Sequence, residues 1–201
     1  MGNRTGRQIE WRRIALAALG VVCIPVAVVA MTVGAGGSTS HSGAGGKTSH
    51  GVSSRLHASV ELVDVAGERV GSATLVEDRR GRLHVNVRIR NVVPGRHGIH
   101  VHNVGSCTSA ATAFSGAGSH HNPAGVTHGS HAGDLPNLTA NEAGIGRLHT
   151  RIDRFTLSAG PNSAFDSDGS ALVVHAAEDD LVTDPTGNSG ARVACGVIVP
   201  R

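Results

Sequence analysis

Two histidines one residue apart, His100 and His102, end a short apolar stretch, GIHVHNVGSC, that runs on to Cys107. In a strand, side chains at i and i+2 share a face, so His-x-His delivers two imidazoles to one point in space, as a metal ion requires. A denser group follows: His120, His121, His128, His131 and Asp134 place five nitrogen or oxygen donors within the fifteen residues 120–134. His175 ends a further apolar run, ALVVH. Imidazole suits zinc and copper, and a carboxylate beside three histidines fits a closed tetrahedral zinc site. His57, His84, His97 and His149, each isolated, are expected to be ordinary satisfied polar residues.

The residues around these donors alternate in the manner of strands. Leu56–Asp64, Arg69–Glu77 and Leu83–Arg90 each show period-2 patterning, with turns at Ala66-Gly67 and Arg80-Gly81, and Pro94-Gly95 precedes the His-x-His strand. From residue 103 to about 141 the pattern dissolves into Gly, Ser, Ala, His and Asn, a connection far longer than usual and therefore a functional candidate. Short strands return at Gly146–Ile152, Ala171–His175 and Ala191–Val199. With no helical period outside the N-terminal leader, the fold class is all-β. Its core must come from Val, Ile, Leu and Ala, since the chain has no Tyr and Trp11 lies in the leader.

Of the 201 residues, the first 54 contribute little to a core. Arg4, Arg7, Arg12 and Arg13 precede an uncharged apolar run, Ile14–Val33, so residues 1–35 read as a signal peptide or a retained membrane anchor whose N-terminus stays in the cytoplasm. Residues 36–54 are a Gly/Ser-rich tether, with His41 and His50 as solvated spacer. Residues 55–201 form the folded domain, large enough for one core. The expected setting is therefore outside the cytoplasm, secreted or membrane-anchored, with the N-terminal segment contacting the membrane. Arg79, Arg80 and Arg82 cluster at a turn without aromatic platforms, which argues against nucleic acid.

Taken in order, G-x-H-x-H (Gly98–His102), Cys107, H-x-N-P (His120–Pro123), His128-Gly129, H-x-G-D-L (His131–Leu135), V-V-H-x-x-x-D-D-L (Val173–Leu181) and G-x-R-x-A-C-G-V-I (Gly190–Ile198) resemble the copper/zinc superoxide dismutase family, in its bacterial, exported form. The resemblance spans about residues 56–200. It implies an eight-stranded Greek-key β-barrel, a flattened sandwich with long metal-binding and electrostatic loops. It also implies copper on His100, His102, His120 and His175, and zinc on His120, His128, His131 and Asp134, with His120 bridging as an imidazolate. Asp179 would be the outer carboxylate joining a copper histidine to a zinc histidine; Asp180 is expected at the surface. Superoxide is the implied substrate, Arg192 the cation that steers and docks it, and His120 a source of protons. Cys107 and Cys195 occupy the family's disulfide positions. A homodimer is compatible with the sequence.

Three departures from the family pattern bear on the site. His128 and His131 are three residues apart where the family inserts a longer excursion, leaving open either convergence on one ion or a displaced His128 and a copper-only dismutase. His121 replaces a bulky apolar residue and is expected to face solvent rather than a metal. Only twelve residues separate Asp179 from Arg192, so the guiding loop is trimmed, and Glu178, Asp180 and Asp184 are expected to shape the field there. Two other classes compete with the enzyme: a noncatalytic copper-binding or buffering module on the same barrel, and a structural domain anchored outside the cell. Arg192 and a bridging His120 favour the enzyme, since storage needs neither.

Overall fold

The computed structural model describes residues 55–201; the leader and tether assigned to residues 1–54 lie outside the described residues. Alternating apolar residues build an antiparallel meander of β1 (Leu56–Asp64), β2 (Arg69–Glu77) and β3 (Leu83–Ile89). In β3, Leu83, Val85, Val87 and Ile89 are buried while Asn86 and Arg88 are exposed, the signature of a sheet with one covered face. Both hairpins turn in the same way. The Asp64 carboxylate accepts from the backbone N–H groups of Ala66 and Glu68 at 2.9 and 3.0 Å, and Asp78 from those of Arg80 and Arg82 at 2.8 and 3.1 Å. Gly67 and Gly81 then take the left-handed conformation, φ +84° and +73°, that other residues adopt at a cost.

The remaining strands are β4 (Gly95–His97), β5 (Ile99–His102), β6 (Leu138–Ala140), β7 (Gly146–Ile152), β8 (Ala171–His175), β9 (Arg192–Val197) and β10 (Val199–Pro200). The sheet order is β4-β6-β7-β3-β2-β1-β9-β8-β5, with β10 added on β1. Its two margins, β4 and β5, are one chain segment divided only by Gly98, so the sheet curls back on itself into a nearly closed barrel. Joining β4 to β5 and β9 to β10 recovers the expected eight segments. The chain leaves β3 and passes β7 and β6 before re-entering the sheet, which makes the Greek key. β6 is a correction: Leu138–Ala140 falls inside the stretch whose composition predicts a loop, because a three-residue strand shows too little alternation to be seen.

One apolar cluster fills the barrel, drawn from β1, β2, β3, β5, β8 and β9, and Phe155, from the segment after β7, is its largest fully buried side chain. Phe155 therefore supplements the aliphatic core expected. A second cluster lies where Phe114, Ala117, Ala171, Val173 and Cys195 meet, with Cys107 packed against it. Cys107 and Cys195 are disulfide-bonded, Cα–Cα 5.7 Å, across 88 residues of sequence. In the chain-entropy model a loop of that length is worth about 4–5 kcal/mol. Among the described residues no helix is long and apolar enough to cross a membrane.

Candidate metal centre

All four residues of β5 are buried, for two different reasons. Ile99 and Val101 point into the barrel core. His100 and His102, on the other face of the pleat, are buried because the long connection folds back over them. The backbone of Val101 receives that connection, its N–H donating to Gly133 at 2.9 Å and its carbonyl accepting from His121 at 2.8 Å. Isolated bridges pair His100 with Asp134 and His102 with His120. A Cβ on Gly133 would meet the Val101 carbonyl oxygen at 2.2 Å, so this close approach requires glycine. On β8, Leu172 and Val174 join the core, and His175 follows Ala171 and Val173 on the outer face.

The donors converge as two overlapping sets. Ligand atoms of His100, His102, His120 and His175 lie within 4.8 Å of one another, and so do those of His120, His128, His131 and Asp134. A third such group, His100, His128 and Asp179, joins them. All of these residues are buried.

Hydrogen bonds decide which nitrogen each ring keeps free. His100 Nε2–H donates to Asp179 at 2.7 Å, His102 Nδ1–H to the Gly118 carbonyl at 3.0 Å, and His175 Nδ1–H to the Gly190 carbonyl at 3.2 Å. What remains is a buried nitrogen with no partner on each ring: His100 Nδ1, His102 Nε2, His120 Nε2 and His175 Nε2. Buried polar atoms are rarely left unbonded, so four facing one point indicate a ligand. Burial pushes the His102 and His175 rings down to about 2 and about 3, and lowers His100 as well despite its Asp179 partner, keeping them neutral with lone pairs free.

On the other side, His120 Nδ1 lies 3.0 Å from the Asp134 carboxylate and 3.4 Å from His131 Nδ1. His131 Nδ1 and His128 Nδ1 lie 3.2 and 3.4 Å from the same carboxylate. A tetrahedral ion with bonds of about 2.0–2.1 Å needs neighbouring ligand atoms about 3.3 Å apart. His120, His131 and one Asp134 oxygen match that spacing, and His128 Nδ1 lies 3.4 Å from the other Asp134 oxygen, so the short His128–His131 interval leaves His128 within the donor set. Burial opposes the charge of Asp134, but the His120 hydrogen bond and the neighbouring imidazoles hold its carboxyl below the usual range. His120 alone presents one nitrogen to each set.

Asp179 spans both sets, bonded to His100 Nε2 at 2.7 Å and His128 Nε2 at 2.8 Å. Burial raises this carboxyl, yet those two bonds and the Leu181 N–H outweigh it and hold it well below the carboxylate range. Two partners escaped the sequence reading. The Asn137 amide pairs with the backbone of Asp179 in both directions, each bond 2.8 Å. Gly187 (φ +62°) packs so tightly that a Cβ there would meet Asp179 Oδ1 at 1.9 Å and His128 Nε2 at 2.4 Å. Only the adjacent Gly-Asn and Asp-Leu-Pro-Asn turn chemistry hinted at either.

Above the first set opens a mouth of about 410 Å³ bordered by His102, His120, His175, Asn188, Gly190 and Arg192. Arg192 is fixed there by donating to the carbonyls of Phe114 and Gly118, both at 2.6 Å; the Gly118 oxygen also holds His102. Burial lowers the guanidinium somewhat from its usual value.

Several expectations change or hold here. His121 does not face solvent: it is 2% exposed and belongs to neither donor set. Its N–H and carbonyl pair with Val101 and Gly133, which turns the ring inward, and burial lowers its basicity against the pull of the Asn162 backbone and Asp166. Asp180 is exposed as expected. Of the three acidic residues expected to shape the field, only Glu178 has an arginine partner; Asp180 and Asp184 are held by neutral donors and keep their charge. Glu178 pairs with Arg96 at 3.0 Å, Asp180 binds Thr183 and Asn188, and Asp184 accepts the His128 N–H at 2.7 Å. His97 is buried with Nδ1 2.8 Å from the His175 carbonyl oxygen and Nε2 2.7 Å from that of Val93, and it belongs to neither donor set.

A Greek-key barrel bearing two histidine sets that share one ring defines a two-metal centre with an open, cation-guarded side. Residues 69–198 match the family model for copper/zinc superoxide dismutase (SODC). Superoxide dismutase (Cu-Zn) 2 of Aquifex aeolicus (strain VF5) is 38% identical over 154 residues, 73% of this chain and 88% of that protein. Superoxide dismutase (Cu-Zn) 2 of Mesembryanthemum crystallinum is 39% identical over 140 residues, 64% and 85% respectively. Among solved structures, a SOD-like protein from Bacillus subtilis is 34% identical with TM-score 0.66, covering 70% of this chain and 97% of that one. The Cu/Zn superoxide dismutase from Brucella abortus is 29% identical with TM-score 0.60, covering 71% and 99%. The chain belongs to the copper/zinc superoxide dismutase family, enzymes that use copper and zinc.

Proposed function

We propose that this chain is an exported superoxide dismutase, converting two superoxide anions and two protons into O2 and H2O2. The residues that would hold copper are His100 through Nδ1 and His102, His120 and His175 through Nε2. Those that would hold zinc are His120, His128 and His131 through Nδ1, with Asp134. The observation that carries this reading is the set of four unpartnered buried nitrogens beneath the mouth. When bound, copper supplies the Cu(II)/Cu(I) couple, and zinc, without redox chemistry, supplies fixed charge.

The chain's own residues do the rest. Arg192 attracts a small anion and docks it beside His102, His120 and His175; a charged cleft of this kind raises encounter rates roughly 10–1000-fold. His120 borders the mouth, and its unpartnered Nε2 is the atom at which a proton can be held for delivery to reduced oxygen. Asp179 holds the His100 and His128 rings in one tautomer and orientation. The Cys107–Cys195 bond joins the connection carrying Gly118 to the strand carrying Arg192.

Export is supported by the basic residues and apolar run at the N-terminus and by a disulfide, which persists in oxidising compartments. The test is superoxide consumption by copper-and-zinc-loaded protein. Catalysis is expected to fall with ionic strength and to drop in Arg192→Ala, while tight copper binding without turnover would instead support a buffering module. Metal analysis of Asp134→Ala is expected to show zinc lost and copper kept. Full activity of the parent protein with copper alone would establish a copper-only dismutase.

A further inference from the structure

The zinc-side donors raise a question of positioning. Apart from His120, they all sit on one short turn, His128–Asp134, which contains two glycines and belongs to no strand. From within, the turn is closed by Asp134, whose second carboxylate oxygen accepts the N–H groups of Gly129 at 2.8 Å and His131 at 3.0 Å. A carboxylate that also binds a metal cannot alone decide where its own backbone lies.

From outside, the turn is clasped by Arg154, two residues beyond β7. Its Nη1–H donates to the Gly129 carbonyl at 2.8 Å and its Nη2–H to the Asp134 carbonyl at 2.7 Å. These two carbonyls bracket His131. A guanidinium is planar and presents its donors in a rigid fork, so binding two carbonyls fixes their separation as well as their position. Arg154 makes no ion pair among the described residues; both of these donors go to this turn.

The clasp is itself braced. The Arg154 carbonyl accepts the Asn162 side-chain amide at 3.0 Å, and the neighbouring Phe155 is fully buried in the barrel core. Two residues on, the N–H groups of Leu157 and Ser158 donate to the buried Glu77 carboxylate at 2.6 and 2.8 Å, with the Ser158 hydroxyl adding a bond of 2.7 Å. Glu77 ends β2, so the segment carrying Arg154 is fastened to the barrel at a strand remote from β5 and β8.

We infer that Arg154 is the positioning residue of the zinc side: by gripping the Gly129 and Asp134 carbonyls it holds His131 and Asp134 at ion-binding spacing in a turn too short to hold itself. This rests on the zinc assignment above. Because His100, His102 and His175 are carried by β5 and β8, the effect of Arg154 is confined to zinc.

The experiment uses the full chain loaded with copper and zinc, as the parent protein and as Arg154→Met and Arg154→Lys. Zinc release to a chelator is expected to be roughly 10–100-fold faster in Arg154→Met, the range for losing an outer partner. Partial recovery is expected in Arg154→Lys, whose single ammonium lacks the fork, with copper retention unchanged in both. Cobalt(II) placed on the zinc side should show a weakened, broadened tetrahedral d–d band in Arg154→Met. Zinc release as slow in Arg154→Met as in the parent overturns the inference. Copper and zinc lost equally faster also overturns it, since that marks general loosening. A parent protein that takes up no zinc overturns the zinc assignment itself, and the clasp with it.

Discussion

The two donor sets share His120 and little else. On the copper side, three of four rings hang on β5 and β8, strands whose opposite faces are packed in the barrel core. On the zinc side, every donor comes from the connection between β5 and β6, held by side-chain bonds reaching back to it from Asp179, Asp184 and Arg154. The first geometry is a by-product of forming the barrel; the second exists only once distant segments have closed on the loop. The barrel half should therefore tolerate damage to the loop half better than the reverse.

The largest test of that asymmetry is His100→Ala against Asp134→Ala. The first should abolish superoxide turnover and copper uptake and, by taking from Asp179 one of its two histidine partners, weaken zinc as well, in a barrel that stays folded. The second should lose zinc while copper binds; joint loss of both metals in Asp134→Ala would erase the distinction. Next comes the disulfide. Replacing Cys107 and Cys195 by serine removes the tie between the connection and β9, and stability should fall by up to about 4–5 kcal/mol, read from the denaturant midpoint. An unmoved midpoint would mean the loop is held by its other bonds alone.

Gly187→Ala is sharper in location. A Cβ there collides with the Asp179 carboxylate and with Nε2 of His128, so both metals should weaken, by roughly 10–100-fold in affinity, although no metal-binding atom is replaced. Titration against competing chelators measures this, and unchanged affinity would mean that the loop yields.

The last comparison is made in the metal-free protein, over a narrow pH interval. His102 and His175 titrate near 6.5 when unfolded but at about 2 and about 3 when folded. Below about pH 6.5 the unfolded chain therefore binds more protons, so stability should be full above that pH and decline as pH falls toward the folded values, by up to about 1.4 kcal/mol per pH unit per group. Chemical denaturation at about pH 7.5 and about pH 5.5 measures it; a flat profile would place these rings in water in the metal-free state.

Much of this was legible in the residues. Period-2 alternation marks β1, β2 and β3 with nearly their observed limits, because each strand has one covered and one wet face. His-x-His needed only the pleat to be placed. The donor-rich connection was visible as a concentration of residue types, but its internal arrangement was not. His120 and His121 are adjacent and chemically identical, and nothing local says which ring turns to the metals and which into the protein.

What the sequence by itself determined is the inventory and the strand-borne half of the centre: which donors exist, which strands carry His100, His102 and His175, and which cysteines were available to pair. What only the tertiary structure decided is the loop-borne half. The burial of His121, the convergence of His128, the tautomers set by Asp179, Gly118 and Gly190, and the grip of Arg154 all depend on segments far apart in the chain. The physical reason is that a strand carries its own periodic rule for where side chains point, whereas a loop has none and takes its shape from whatever closes on it.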